Sequence, residues 1–319
     1  MVFVPSACGK GRTKMKSAIV SVSVATVWTK PESPRDIDQV ALQSPVDARS
    51  WLASLTVEEK LGFYDNNAIQ TQALYGTRVE VVEEQGEWSQ VLIPDQTTNK
   101  NATGYPGWIP SRQLAPWSDA FVVQQGQKLA MVTAAFTRLH TADKKPDLEL
   151  AFLTKLPLIE ETGDWVTVAT PNGKGLLPKA DVQIVNANKP IELSGNRGEA
   201  IVEAGKRFIN LHYLWGGMSS YGYDCSGFAY NMHRSVGLQI PRDASDQAKA
   251  GQLVEKEALL PGDLLFFAHE EGKGRVHHVG IYMGNGEMIH SPDSRSAIEI
   301  VKLDGYKLEK EHCVSRRYW

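Results

Sequence analysis

One thiol and two imidazoles in the last third of the chain are of the types that make a nucleophilic site: Cys225 in YGYDCSGFAY (221–230), and His278 and His290 in VHHVGIYMGNGEMIHSP (276–292). A thiol attacks as its thiolate and needs a base; the base needs a third group to hold its ring. After Asp224 the apolar residues Phe228, Met232 and Val236 recur every four positions, and Gly237 follows. The spacing predicts a helix that opens at Cys225, with Asp224 at or near the N-cap and Gly237 as the left-handed C-terminal cap. A helix start favours the thiolate through its dipole and free backbone N–H groups. The same N–H groups can hold an oxyanion.

The hairpin after His278 decides whether the two histidines cooperate. A two-residue Asn285-Gly286 loop pairs Ile281 with His290 and puts His278 on the opposite face. A three-residue loop, 284–286, pairs Gly280 with His290, and His278 then becomes its diagonal neighbour at about 7 Å. We take the three-residue loop, as a type I turn followed by a left-handed glycine. Gly280 opposite His290 leaves room between the rings. In that arrangement His278 serves as base and later as acid toward the leaving amine, while His290 acts as a neutral orienter. His277 points to the other face. Spacing alone leaves three readings open: a catalytic set, a packed thiol with two ordinary strand histidines, or three zinc ligands.

These elements need a scaffold, and the preceding 190 or so residues contain a repeat. VVEEQGEWSQVLIP followed by GWIPSRQL is echoed by LIEETGDWVTVATP followed by GLLPKADV. Glu83, Glu84, Gly86, Trp88, Val91, Gly107 and Pro110 match Glu160, Glu161, Gly163, Trp165, Val168, Gly175 and Pro178. Alternating apolar residues around glycine turns predict two small antiparallel β-barrels. Each copy reads as a strand, a tight turn, a strand carrying Trp, a loop and a short closing strand. Turn glycine to closing glycine spans 21 residues in the first copy and 12 in the second. The first therefore carries about nine extra loop residues within DQTTNKNATGYPG, Tyr105 among them; long loops in compact domains are often functional. The first copy also holds a helical insertion, SPVDARSWLASLTVEEK, with a capping box at Thr56 and Glu59. We expect it to cover a barrel face. NANKPIELSGN (186–196) reads as a linker, and GEAIVEAGKRFIN after it as a helix with Ile201, Ala204 and Phe208 on one face.

Composition excludes several classes. A chain of 319 residues is long enough for two or three domains, and a net charge of −3 offers no case for nucleic acid or an anionic membrane. No apolar run is long enough to span a bilayer. Three cysteines, Cys8, Cys225 and Cys313, suggest no disulfide framework, and no Cys-x-x-Cys pair suggests structural zinc. Cys313 reads as core. GNGEMI lacks the third glycine of a phosphate loop, so no nucleotide is expected. MVFVPSACGK is too short for a signal peptide, although SACG resembles a lipoprotein cleavage end with Cys8 as the lipid-bearing residue if translation begins upstream. As it stands the chain is expected in the cytoplasm, as a monomer.

At this point a family resemblance enters. YLWGG, YDCSGF, IPRDASDQ, PGDLLFF, HHVGIYMGNG and MIHSP, in that order and spacing, resemble the NlpC/P60 cysteine peptidases from about residue 198 onward. The resemblance implies a papain-like α+β domain over residues 195–319 that cleaves cell-wall peptides. It implies Cys225 as nucleophile, His278 as base and His290 as third catalytic residue. Two SH3-like domains in front, residues 17–115 and 116–188 after a leader of 1–16, with SVSVATVWTKPESPRDID at the start, resemble the γ-D-glutamyl-L-diamino acid endopeptidases of the YkfC type. That likeness implies a freed murein stem peptide with an unblocked L-alanine as substrate, and no cofactor or metal. It implies Tyr105 as a substrate-facing tyrosine, Asp224 as an acid near the substrate amine, and Ser226 and Asp243 as pocket residues. An acidic residue of the first SH3-like domain also meets the amine in that group; its position here is unassigned. Tyr213 could aim its hydroxyl at the oxyanion and Trp215 could wall the pocket, or both could be core. Arg242 could meet the D-Glu α-carboxylate, or form a structural ion pair. The rivals are a secreted hydrolase of intact peptidoglycan, which the long loop disfavours, and a wall-peptide binding protein without activity.

Overall fold

The computed structural model describes residues 15–121, 127–187, 189–193 and 195–319. The leader expected up to residue 16, with Cys8, lies almost wholly outside them.

The repeat is deeper than three strands. The first copy has β1 Lys16–Val20, β2 Val24–Trp28, β3 Ile69–Leu74, β4 Arg78–Gln85, β5 Trp88–Ile93, β6 Tyr105–Pro110 and β7 Leu114–Pro116. They pair in the order β3-β2-β6-β5-β4-β1-β7. The second has β8 Lys128–Val132, β9 Phe136–His140, β10 Pro146–Ala151, β11 Lys155–Thr162, β12 Trp165–Thr170, β13 Gly173–Pro178 and β14 Val182–Asn186, in the order β10-β9-β13-β12-β11-β8-β14. Every strand has its counterpart seven places on. The register shift between Val81 and Glu83 recurs between Leu158 and Glu160. A bulge there adds twist, which helps a short sheet curl upon itself.

The copies differ in two places. Between β2 and β3 the first inserts α1 Ala48–Ser54 and α2 Val57–Asp65, the latter opened by the Thr56–Glu59 capping box. Trp51 and Phe63 from these helices pack on Trp28 of β2, with ring centroids 5.7 to 6.4 Å apart. Each such ring removes on the order of 150–250 Å² from water, enough to hold the insertion on the barrel. The second difference is the β5–β6 connection, 94–104, against 171–172 in the other copy. Tyr105 is not part of that loop. It is the first residue of β6, paired with Ile93.

The third domain has helices α3 Arg197–Lys206, α4 Cys225–Ser235 and α5 Ala244–Gln247. They pack on an antiparallel sheet of β17 Gln252–Leu253, β18 Leu264–Ala268, β19 Val276–Gly284, β20 Glu287–His290, β21 Glu299–Lys302 and β22 His312–Arg317, in the order β17-β22-β18-β19-β20-β21. β15 Met218–Ser219 and β16 Gly222–Tyr223 form a small ladder in front of α4. One apolar core runs from Phe228, Met232, Val279 and Ile289 of this domain to Leu74 of the first barrel and Phe152 of the second. Ile191 of the predicted linker is buried in it. Cys313 lies on β22 as expected, yet it is exposed, not core. No helix among the described residues is long and apolar enough to cross a membrane.

Candidate active site

Cys225 is the first residue of α4. The helix starts there because Asp224 caps it: its backbone is extended and its Oδ1 accepts from Gly227 N at 2.6 Å. Gly227 is required by crowding, since a Cβ there would stand 2.1 Å from the Gly217 carbonyl oxygen. The Asp224 carboxylate also accepts from Ser226 Oγ at 3.1 Å and from Arg242 Nη1 and Nη2 at 3.1 and 2.6 Å. Arg242 Nη1 reaches Ser226 Oγ at 2.9 Å, and Nε donates to Thr71 Oγ1 of the first barrel at 3.0 Å. Burial works against the guanidinium charge, but Asp224 outweighs it and the pKa is raised. Of the two readings of Arg242, the structural ion pair is the one present. The Asp224 carboxylate is thus already paired with Arg242, and the charge expected to be free for a substrate amine is engaged within the protein.

The thiol is buried against β19. Burial, then the Asp224 charge, push its pKa up to about 12, while the backbone groups of Val279 and Ser226 act the other way. The sequence-based expectation of a thiolate at the helix start is thus overturned in the free protein: desolvation exceeds the pull of the first-turn N–H groups.

The predicted register is present, reached by another route. Asn285 and Gly286 form a two-residue turn, both with positive φ of 53° and 74°. That turn alone would put His278 on the wrong face. A register shift between Tyr282 and Gly284 restores the pairing of Ile281 with Ile289, and so places Gly280 opposite His290. A Cβ on Gly280 would stand 2.7 Å from Met288 Sδ and 3.4 Å from His290 Cβ. In the gap the rings meet edge to face, with His278 Nε2 2.8 Å from His290 Nδ1. That leaves His278 Nδ1 as the ring nitrogen still open to a proton.

Both imidazoles are held neutral. Burial, reinforced by the neighbouring His290, lowers His278 well below its usual range, and burial lowers His290 to about 4. If His278 Nε2 carries the shared proton, His290 carries its own on Nε2. That atom lies 3.3 Å from Tyr306 Oη and 3.4 Å from Glu299 Oε1. Neither Tyr306 nor Glu299 was singled out from sequence. Glu299 pairs with His290 across β20 and β21, but the short EIVK strand carries no signal of that pairing. His277 points away and is not a bare neighbour: it bonds Glu311 at 2.8 Å and stacks on His269. Among the described residues no group of three or more His, Cys, Asp or Glu side chains is arranged to hold a metal ion.

Tyr213 is buried with its hydroxyl pKa raised well above normal, by burial first and then by Cys225 and Asp224. Trp215 is turned toward the first barrel, its Nε1 on the Ile69 carbonyl at 3.1 Å and its ring against Tyr64. Tyr105 crosses the same boundary: its hydroxyl donates to Asp243 Oδ1 at 2.8 Å. The extra loop is pinned to the third domain. Asp95 O accepts from Tyr230 and Gln239, Thr97 O from Arg242 N, and Asp246 accepts from Asn99 N and Nδ2 at 2.8 and 2.6 Å. Gln72 of β3 accepts from Met218 N and Ser219 Oγ, both at 3.0 Å. Gln72 and Asp246 are therefore boundary residues that sequence reasoning missed; the loop's extra length pointed toward the Asp246 contact, and nothing along the chain pointed to Gln72.

Comparison with known proteins agrees with this layout. Residues 210–317 match the NlpC/P60 family, 132–184 the YKFC SH3b2 domain, and 65–114 the bacterial dipeptidyl-peptidase SH3 domain. The γ-D-glutamyl-L-lysine dipeptidyl-peptidase of Bacillus subtilis (strain 168) is 43% identical over 95% of this chain and 99% of that protein. The protein of the same name from Bacillus cereus (strain ATCC 10987 / NRS 248) is 40% identical over 96% of this chain and 92% of its own length. The crystal structure of an NlpC/P60 family protein from Bacillus cereus ATCC 10987 superposes with a TM-score of 0.90 at 40% identity, covering 95% of this chain and 99% of that one.

Proposed function

The chain belongs to the NlpC/P60 family of cysteine peptidases, and from that premise we propose that it hydrolyses the γ-D-glutamyl bond to L-lysine or diaminopimelate in freed murein stem peptides with an unblocked L-alanine. The observation that carries the reading is Cys225 at the first turn of α4, against the strand that holds the His278–His290 hydrogen bond of 2.8 Å.

In this reading the Cys225 sulfur attacks the γ-carbonyl of D-Glu as its proton passes to His278 Nδ1. The neutral pair at rest makes attack and proton transfer one concerted event. First-turn N–H groups and the Tyr213 hydroxyl receive the oxyanion. The C–N bond breaks as His278 protonates the departing amine. His278 then takes a proton from water, which attacks the thioester and releases L-Ala-D-Glu with the thiol restored. His290 keeps the His278 ring in one tautomer. The docked barrel, with Tyr105 at the Asp243 carboxylate, closes the N-terminal side of the site. That favours a short peptide over intact peptidoglycan, and it suits recycling in the cytoplasm by a monomer.

The test is product analysis by mass spectrometry on L-Ala-γ-D-Glu-L-Lys and its diaminopimelate analogue, beside the N-acetylated peptide and whole sacculi. Release of L-Ala-D-Glu from the free peptides, lost in Cys225→Ala, is expected. Equal turnover of free and N-acetylated peptide, or solubilisation of sacculi, would transfer the reading to the cell-wall hydrolase. Binding without turnover by wild type would leave a peptide-binding protein.

A further inference from the structure

The amine-facing end of the site already holds an ammonium. Lys100, in the loop that the second barrel lacks, sends Nζ to the Tyr105 hydroxyl, to Asp243 Oδ2 at 3.2 Å and to Gln70 Oε1 at 2.9 Å. It also stands 4.3 Å from the Tyr105 ring centroid. A carboxylate, two neutral oxygens and an aromatic face are the partners a primary ammonium seeks. Among the described residues no carboxylate of the first barrel bonds Tyr105 or Asp243; that barrel supplies Gln70 and a cation. Asp224 is closed off by Arg242, which leaves Asp243 as the acid with an exposed edge, its side chain 26% accessible.

We propose that Lys100 is an internal occupant of the subsite for the substrate's N-terminal ammonium, displaced when the peptide binds, and that it thereby sets the affinity for free-amine substrates. The inference rests on the free-amine reading above. Two ammonium groups cannot share one carboxylate edge without like-charge repulsion. Displacement is cheap: the Lys100 side chain is 43% exposed, its stem is flexible, and an ion pair so wetted is weak. The loop backbone is held just before residue 100 by Asn99 N on Asp246 and re-enters β6 at Tyr105, so the side chain can leave while the loop stays. An N-acetylated peptide brings no charge to replace Lys100 on Asp243 and gains nothing from its departure.

The experiment is steady-state kinetics of wild type, Lys100→Met and Lys100→Gln on L-Ala-γ-D-Glu-L-Lys and on its N-acetyl form. Both variants are expected to lower KM for the free peptide about two- to fivefold, the range open to a partly exposed ion pair, with kcat held. The N-acetyl peptide should show no such gain. A second measurement needs no turnover: acylation of Lys100 by an N-hydroxysuccinimide ester, read by mass spectrometry, should accelerate when L-Ala-D-Glu is bound. An unchanged or raised KM in both variants, or slower acylation of Lys100 with the dipeptide bound, overturns the inference while leaving the peptidase reading intact. Wild-type enzyme that ignores the free peptide overturns both.

Discussion

The guanidinium of Arg242 closes on the carboxylate of Asp224 through both terminal nitrogens, at 3.1 and 2.6 Å. The pair sits under the cap of the nucleophile helix and reaches Thr71 of the first barrel. It ties the position of Cys225 to the docking of a separate domain.

Breaking that pair leaves an uncompensated buried charge. Arg242→Ala should cost about 3–5 kcal/mol of stability. Arg242→Lys, which keeps the charge but lacks the fork, should lose less stability yet still lose activity. Urea unfolding beside kinetics measures both, and an Arg242→Lys enzyme with wild-type kcat would show that the fork does not position the helix cap.

His277 and His278 are neighbours on one strand with different partners. His278→Ala should lose a factor of about 10²–10⁴ in kcat/KM, the usual share of a general base. His290→Ala should lose less, and His277→Ala, which severs the Glu311 contact and the stack on His269, both away from the thiol, should stay near wild type. Comparable losses at His277 and His278 would put the wrong imidazole at the thiol.

The resting thiol is protonated. Burial and Asp224 raise its pKa to about 12, so thiolate is scarce at neutral pH in the free enzyme. Alkylation of Cys225 by iodoacetamide should be slower at pH 7 than that of an ordinary thiol and should keep rising with pH beyond 9. A rate that levels off below pH 7 would instead indicate a thiolate–imidazolium pair.

Three buried histidines carry an acid-stability signature. His233 and His290 are lowered to about 4 and His278 well below its usual range, all by burial first. The unfolded chain binds these protons below about pH 6.5, and the native state does not until about pH 4. Stability from these groups is therefore complete above pH 6.5 and is lost as pH falls from 6.5 toward 4. The slope of Tm against pH over that window should flatten in His290→Asn. An unchanged slope would remove His290 from the linkage.

The loop clamp has a separable role. Asp246→Ala removes the acceptors of Asn99 N and Nδ2. It should raise KM for the free peptide severalfold while kcat holds, and should speed proteolysis within 94–104. A fall in kcat with KM unchanged would mean that the loop supports the catalytic residues instead of the substrate.

The local elements were legible in the chain. Asp224 before a four-residue apolar period starts a helix wherever that helix packs, and the glycine-centred repeat makes short strands by backbone preference. The His278–His290 register was also readable, because side chains alternate with a period of two and only one pairing put both rings on one face. The turn that achieves it was not, since a two-residue turn with a bulge and a three-residue loop give the same pairing. Charge states depended on the tertiary structure. Proximity to a helix N-terminus is a local property and pointed to a thiolate, whereas burial against β19 is a packing property and won. The choice of partner at Asp224, Arg242, Tyr105 and Lys100 likewise depends on the tertiary structure. Their partners come from residues as much as 171 positions away, and no spacing along the chain encodes which carboxylate pairs with a guanidinium and which with a lysine ammonium.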